Sequence, residues 1–287
     1  MNTEDRFEFS GRDGTKISAY HWSAGDPPRA LLLTAHGMGE HAKRYQAGLA
    51  EVIASGIDVY APDHRGHGTT APKPESFGDF GPGGFPAVVD DLAVLARKLR
   101  DDNPGLPLIL LGHSMGSFAS QLFVLDHADL IDGLALSGSA SLDRLAAAAM
   151  DPALLANLNA AFEPARTPFD WLSRDPDQVD AYINDPACGF PLTPESFGSL
   201  FACASRLCDA DEIQKIPDDL AIYIFSGLED PLAAAFDGLT PLIERYKDAG
   251  VLVKTDLYPG ARHEVLNETN RKEVVANFGK WIDGVIE

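Results

Sequence analysis

Residues 107–116 read PLILLGHSMG: an apolar run from Pro107 to Leu111 enters Gly112-His113-Ser114-Met115-Gly116. An amphipathic stretch, Ser117 to Asp126, follows. An apolar strand that passes through G-x-S-x-G into a helix is the setting in which this motif holds a serine hydroxyl exposed at the top of a sheet. The glycines have a steric job, because side chains flanking the serine would collide with neighbouring backbone in so tight a turn. Backbone dipoles at the helix N-terminus favour developing negative charge. The pattern points to Ser114 as a nucleophile rather than as a serine that merely caps the helix.

Outward from this stretch, short apolar runs alternate with longer helical patterns, which predicts βα units around a mostly parallel sheet. Upstream lie a hairpin (RFEF, turn GRDG, then TKISAYHW at 6–22) and a strand from Ala30 to Ala35. A helix is expected from Arg44 to Ser55, then a strand IDVYAP at 57–62 closed by the glycine-rich DHRGHG. From Ala87 to Arg100 the spacing places Val88, Leu92, Leu95 and Leu99 on one helical face. Downstream, a strand is expected from Gly133 to Leu136. The rhythm then breaks, and about Ser139 to Pro217 reads as helical and irregular. It resumes with LAIYIFSG at 220–227, a helix from Leu239 to Ala249, VLVKTDLYPG at 251–260, and a last helix from Asn270 to Ile286. The expected architecture is an α/β core at 1–138 and 218–287, with a helical cap at 139–217 inserted after the sixth strand. Such insertions at the carboxyl ends of strands commonly cover the ligand crevice.

The composition excludes several classes. The chain has 287 residues, with 23 Lys and Arg against 43 Asp and Glu, a net charge of −20. That charge argues against nucleic-acid partners, which call for a basic footprint, and against docking on anionic lipid. MNTEDRFEF has no basic and apolar leader pattern, and no run approaches the roughly 20 apolar residues of a membrane span. Three cysteines, an odd number without metal-ligand spacing, are expected to be free thiols in the cytoplasm.

A serine hydroxyl is a weak nucleophile until a base takes its proton. Eight histidines are present. His113, the variable position of the motif, is expected to point away from the reaction. His21 and His127 lie in a strand and near a helix end, and His36, His41, His64 and His67 in loops after strands. His263 follows the last strand, and it alone fits the order serine, acid, histidine with an acid between. For the acid, Leu228-Glu229-Asp230-Pro231 follows a strand. Asp230 is preferred, Glu229 is second, and Asp256 falls inside the last strand pattern. Acyl transfer also needs two donors aimed at the developing oxyanion. The N–H of Met115 and the N–H of Met38, in His36-Gly37-Met38-Gly39, are the expected pair.

HGMGEHAKRY at 36–45, APDHRGHG at 61–68, GHSMG at 112–116, SGLEDP at 226–231 and ARHEVLNE at 261–268 together resemble the monoacylglycerol lipase and lysophospholipase-like branch of the α/β-hydrolase superfamily. The blocks run in that family's order from the first strands to the last helix. The resemblance implies a cofactor-free serine hydrolase of carboxylic esters with a cap over an acyl pocket. It puts the nucleophile on Ser114, the acid on Asp230, the base on His263 and the oxyanion donors on Met38 and Met115. It departs at Leu266, where the mammalian monoacylglycerol lipases carry a second histidine near the glycerol, so the alcohol moiety does not carry over.

The same triad could run acyl transfer or lactone, amide or C–C hydrolysis. Dehalogenase and epoxide hydrolase chemistry use an aspartate where Ser114 stands, and a pocket that binds without turnover is the non-enzymatic alternative. Gly37, Glu40 and Arg44 are candidate substrate-binding residues, with a structural ion pair as the other reading of Glu40 and Arg44. Asp63, His64 and His67 do not make a closed metal set and are expected to brace loops under the site. Arg262 is expected to pair with a loop acid. In the insertion, Leu154, Leu155, Leu158, Phe162, Phe169, Trp171, Phe190, Phe197 and Phe201 should pack the cap, with a few lining an acyl pocket. The partner is a small ester, and the oligomeric state stays open.

Overall fold

The computed structural model describes residues 4–25, 27–71, 73–148, 158–234 and 238–287. Its strands are β1 (Glu4–Ser10), β2 (Lys16–Trp22), β3 (Ala30–Ala35), β4 (Ile57–Pro62), β5 (Leu108–His113), β6 (Gly133–Ser137), β7 (Ala221–Gly227) and β8 (Val253–Tyr258). They form one sheet in the order β1-β2-β4-β3-β5-β6-β7-β8. β2 pairs antiparallel with β1 and with β4, and every later pairing is parallel.

β3, β5 and β6 are buried along their whole length. This is why they read as continuous apolar runs: both faces of a parallel sheet are covered. Alternate side chains feed two cores. Leu31, Leu33, Leu108 and Leu110 join the helices Gly84–Asp102 and Met115–His127 on one face. Leu32, Ile109 and Leu111 join Leu49, Val52 and Ile53 and the helix Arg271–Ile286 on the other.

The strand order positions the site. From β3 the chain moves outward to β4, then crosses back to β5 on the other side of β3. Ligands bind at such a reversal, in the crevice beyond the carboxyl ends of the two strands. The loop after β3 and the turn after β5 meet there. The contact is backbone on backbone, for a Cβ on Gly116 would lie 2.0 Å from the carbonyl oxygen of Ala35.

Between β6 and β7 the described residues form helices and turns and no strand. The longest helices of this segment among the described residues, Pro176–Asn184 and Pro194–Ala202, start with proline behind Asp175 and Thr193, whose side chains accept from Asp177 N–H and Ser196 N–H. Leu154 and Leu155 lie outside the described residues. No described helix is long and apolar enough to cross a membrane.

Two expectations change. The helix expected over Arg44–Ser55 is broken into Ala42–Arg44, Tyr45–Gly48 and Ala50–Ala54. Gly48 lies at the break and packs against a loop, where its Cβ would be 3.2 Å from the carbonyl oxygen of Leu266. Glycine inside a helix also favours the break. The strand expected over 251–260 shrinks to Val253–Tyr258, an edge strand with a largely exposed pattern.

Two glycines test these contacts in opposite directions. Gly116→Ala should cost about 3 kcal/mol of unfolding free energy, read from denaturant titration, since a methyl group has no room. Gly279→Ala, in the last helix with nothing within 4 Å of the added carbon, should stabilise by about 0.5–1 kcal/mol.

Candidate active site

Ser114 sits at φ 51° and ψ −120°, and is the one non-glycine at positive φ among the described residues. That backbone is strained. It is held because Ser114 N–H donates to Ser137 O at 3.0 Å and Ser114 O accepts from Ser117 N–H at 2.8 Å. A Cβ on Gly112 would stand 2.4 Å from Ser120 Oγ. The serine makes no side-chain cap bond with the helix it precedes, so its hydroxyl is not spent on capping.

The loops after β7 and β8 are joined by backbone contacts. Leu228 N–H donates to Tyr258 O and Glu229 N–H to Ala261 O, both at 3.0 Å. Gly227 allows this, since its Cβ would lie 2.1 Å from Ala261 O. The contact brings Asp230 to His263. His263 Nδ1 donates to Asp230 Oδ2 at 2.9 Å, and Asp230 Oδ1 accepts from Leu232 N–H at 2.9 Å. Asp230 is wholly buried and His263 is 2% exposed, whereas Glu229 is exposed. A carboxylate only accepts, so the Nδ1 proton is on the histidine and Nε2 is left as the basic nitrogen. Burial by itself would lower the imidazole pKa. The Asp230 carboxylate, helped by the charges of Glu264 and Glu40, outweighs this and holds the pKa above the ordinary 6.5.

Ser114 and His263 both line one cavity of about 650 Å³. The hydrogen bonds among the described residues do not include one from Ser114 to His263. In a free enzyme this contact is often loose and tightens with substrate. The ring of Trp171, from the segment between β6 and β7, lies 4.9 Å from that of His263.

Met38 and Met115 line the same cavity. Gly37 N–H donates to Glu40 Oε1 at 2.6 Å and Gly39 N–H to His67 Nε2 at 3.3 Å. Among the described residues the amide between them, on Met38, donates no hydrogen bond, and neither does that of Met115 at the helix start. Two unpaired amides lining one cavity with a serine are of the kind that can hold an oxyanion.

Residues 26–270 match the family described as serine aminopeptidase, S33. The chain belongs to this family. It is 30% identical over 285 residues to the monoacylglycerol lipase of Mycolicibacterium smegmatis, covering 98% of each chain. It is 30% identical over 267 residues to the monoglyceride lipase of Homo sapiens, covering 89% of this chain and 82% of that one. The crystal structure of a carboxyl esterase from Bacillus coagulans in complex with glycerol matches with a TM-score of 0.89 at 28% identity, over the full length of both chains.

The charged residues beside the site are internally paired. Glu40 also accepts from Tyr45 Oη at 2.8 Å and from Arg44 at 2.5 Å. Burial would raise its pKa, but the Arg44 guanidinium, His113, His36 and the Tyr45 hydroxyl together outweigh burial and hold the carboxyl below the usual carboxylate range. Gly37 and Glu40 line the large cavity; Arg44 does not. Asp63 accepts from Ala42 N–H and Thr69 N–H, and His36 Nε2 accepts from His64 N–H. Burial pushes His36 down to about 4 and His67 to about 3. These neutral rings serve as acceptors that brace the loops.

Two readings need correction. His113 does not point away. Its ring lies 4.8 Å from that of His263 and lines the cavity. The turn that lifts Ser114 carries the preceding side chain inward, and burial, then the charge of His263, lowers its pKa to about 4. Arg262 pairs through its guanidinium with carbonyls rather than with an acid: Nη1 donates to Asp170 O at 2.5 Å and Ser173 O at 3.3 Å. It also covers the ring of Phe162 at 4.1 Å, so Phe162 packs there, while Leu158, Phe169, Trp171, Phe190, Phe197 and Phe201 line the cavity.

Sequence reading missed Leu145, Asn159, Tyr182 and Glu264 in the wall. Only Glu264, next to His263, carried a signal. It also missed that His41, Asp185 and Cys188 come within 4.8 Å of one another, the one such metal-capable group among the described residues. His41 Nε2 and Asp185 Oδ2 are already hydrogen-bonded at 2.9 Å, tying the loop after β3 to the segment between β6 and β7.

The His263–Asp230 contact has a pH signature. A raised folded pKa means stabilisation that is full below 6.5 and lost as pH rises through the folded value. The unprotonated base appears over the same rise. The acid limb of kcat/KM should therefore lie above pH 6.5. In Asp230→Asn burial is opposed only by the weaker pull of Glu264 and Glu40, so the limb should move to lower pH while kcat falls on the order of 10⁴-fold. A pH–rate profile of both proteins checks this.

Proposed function

We propose that the protein hydrolyses carboxylic esters through an acyl-enzyme on Ser114. The observation that carries this is the buried, hydrogen-bonded His263–Asp230 pair opening on the cavity that Ser114 lines. His263 Nε2 takes the Ser114 proton as the hydroxyl attacks the ester carbonyl. The oxyanion rests on the N–H groups of Met38 and Met115, and Asp230 stabilises the imidazolium. His263 then protonates the leaving alcohol. Water, activated by the same ring, releases the acid.

The cavity supports an ester with an apolar acyl group. Phe118, Leu145, Leu158, Leu200, Phe201 and Leu232 give it one continuous apolar wall. Asn159, Tyr182, Glu40 and Glu264 add polar atoms elsewhere, which suits the alcohol side. A monoacylglycerol- or lysophospholipid-like ester, or a shorter one, fits this division, and the names of the relatives support the first. In this reading residues 139–217 form a cap on a core of 1–138 and 218–287. The three free cysteines favour the cytoplasm as its place of action.

Ser114→Ala should abolish p-nitrophenyl ester turnover in a protein with an unchanged melting curve. A fluorophosphonate should label wild type at Ser114 and leave the variant unlabelled. Residual turnover above about 1% of wild type would remove Ser114 from the role, since loss of such a nucleophile costs far more.

A further inference from the structure

Arg44 stands behind the cavity wall, not in it. Nη1 donates to Glu40 Oε2 at 2.5 Å, and Nη1 and Nη2 grip Glu264 Oε1 and Oε2 at 2.7 and 2.8 Å. The side chains of Arg44, Glu40 and Glu264 are only 11%, 4% and 6% exposed. The guanidinium carbon lies 4.8 Å from the ring centre of Tyr182, whose hydroxyl donates to Gly39 O at 2.9 Å.

Each partner leads to a different part of the site. Glu40 holds Gly37 N–H, one residue before the free amide of Met38. Glu264 follows His263, and its own N–H donates to Leu172 O of the cap at 2.8 Å. Tyr182 belongs to the cap helix Pro176–Asn184. One planar cation thus joins the loop that offers an oxyanion donor, the loop that carries the base, and the cap. A surface ion pair would do little here, but two buried carboxylates around one fork fix both distance and direction.

We propose that Arg44 is a positioning residue for the hydrolytic site, clasping the loops of Met38 and His263 in register through Glu40 and Glu264. This rests on the ester-hydrolase reading above. Arg44 itself lies outside the cavity wall and touches neither substrate nor nucleophile. It acts on the relative placement of donor and base, which matters most when charge develops on the oxyanion, so its loss lowers kcat and leaves KM nearly untouched.

Arg44→Lys tests this, because lysine keeps the charge and loses the fork. Rates are taken per site titrated with a fluorophosphonate, so partial unfolding does not count. The expected result is a fall in kcat of about 10- to 100-fold with KM within about 2-fold, and a parallel fall in the rate of fluorophosphonate labelling. Should Arg44→Lys fail to fold, Tyr45→Phe, a residue outside the cavity wall, removes the hydroxyl that donates to Glu40 Oε1 and loosens the same clasp, and a smaller fall in kcat at unchanged KM is expected. A raised KM at unchanged kcat would make Arg44 a substrate contact and overturn the proposal. Unchanged kcat and KM would reduce it to a structural ion pair and overturn it equally. Wild type that neither turns over esters nor labels at Ser114 would instead overturn the reading on which it rests.

Discussion

The site depends on one close approach of backbone to backbone. The first turn of the helix Met115–His127 presses against the end of β3, with no space for a carbon between Gly116 and Ala35 O. That contact has three consequences. The chain must turn sharply after β5, which forces Ser114 into a positive φ. The amide of Met115 is brought beside the loop that carries Met38. The serine is left at the strand-order reversal, where an α/β sheet has a crevice to offer. A second contact of the same kind, Gly227 against Ala261 O, does for Asp230 and His263 what the first does for Ser114.

Electrostatics then divides the buried groups. Among five histidines packed around or under the site, burial depresses His36, His64, His67 and His113. His263 alone has a carboxylate bonded to its ring and moves the other way. The difference matters chemically. Neutral rings can accept the backbone N–H groups that shape the loop after β3, while His263 is the ring among the five that takes up a proton most readily. Glu40 is the counterpart among the acids, kept ionised in a buried place by Arg44. The large net charge of −20 plays no direct part in this, because it belongs mostly to the solvated surface.

The segment between β6 and β7 closes the cavity through few but well-placed contacts. The Trp171 ring lies tilted beside that of His263, Arg262 reaches to the carbonyls of Asp170 and Ser173, and Tyr182 bonds Gly39. These contacts make the segment part of the cavity wall. In this protein the loops of Met38 and His263 and the segment between β6 and β7 are therefore tied by the same handful of side chains.

By itself the sequence determined the α/β alternation, the serine elbow and the pairing of Asp230 with His263. Each of these is written locally: apolar runs of the right length, glycines where no side chain fits, and an acid and a histidine just past strand ends in the right order. The tertiary structure decided the rest. It chose Asp230 over Glu229 by burying one and exposing the other. It turned His113 inward, broke the helix expected over Arg44–Ser55 at Gly48, gave Arg262 carbonyls in place of an acid, and closed Arg44 between Glu40 and Glu264. These outcomes depend on partners far away in the chain, up to 220 residues for Arg44 and Glu264. Local periodicity and spacing carry no record of which distant group will reach a buried charge first.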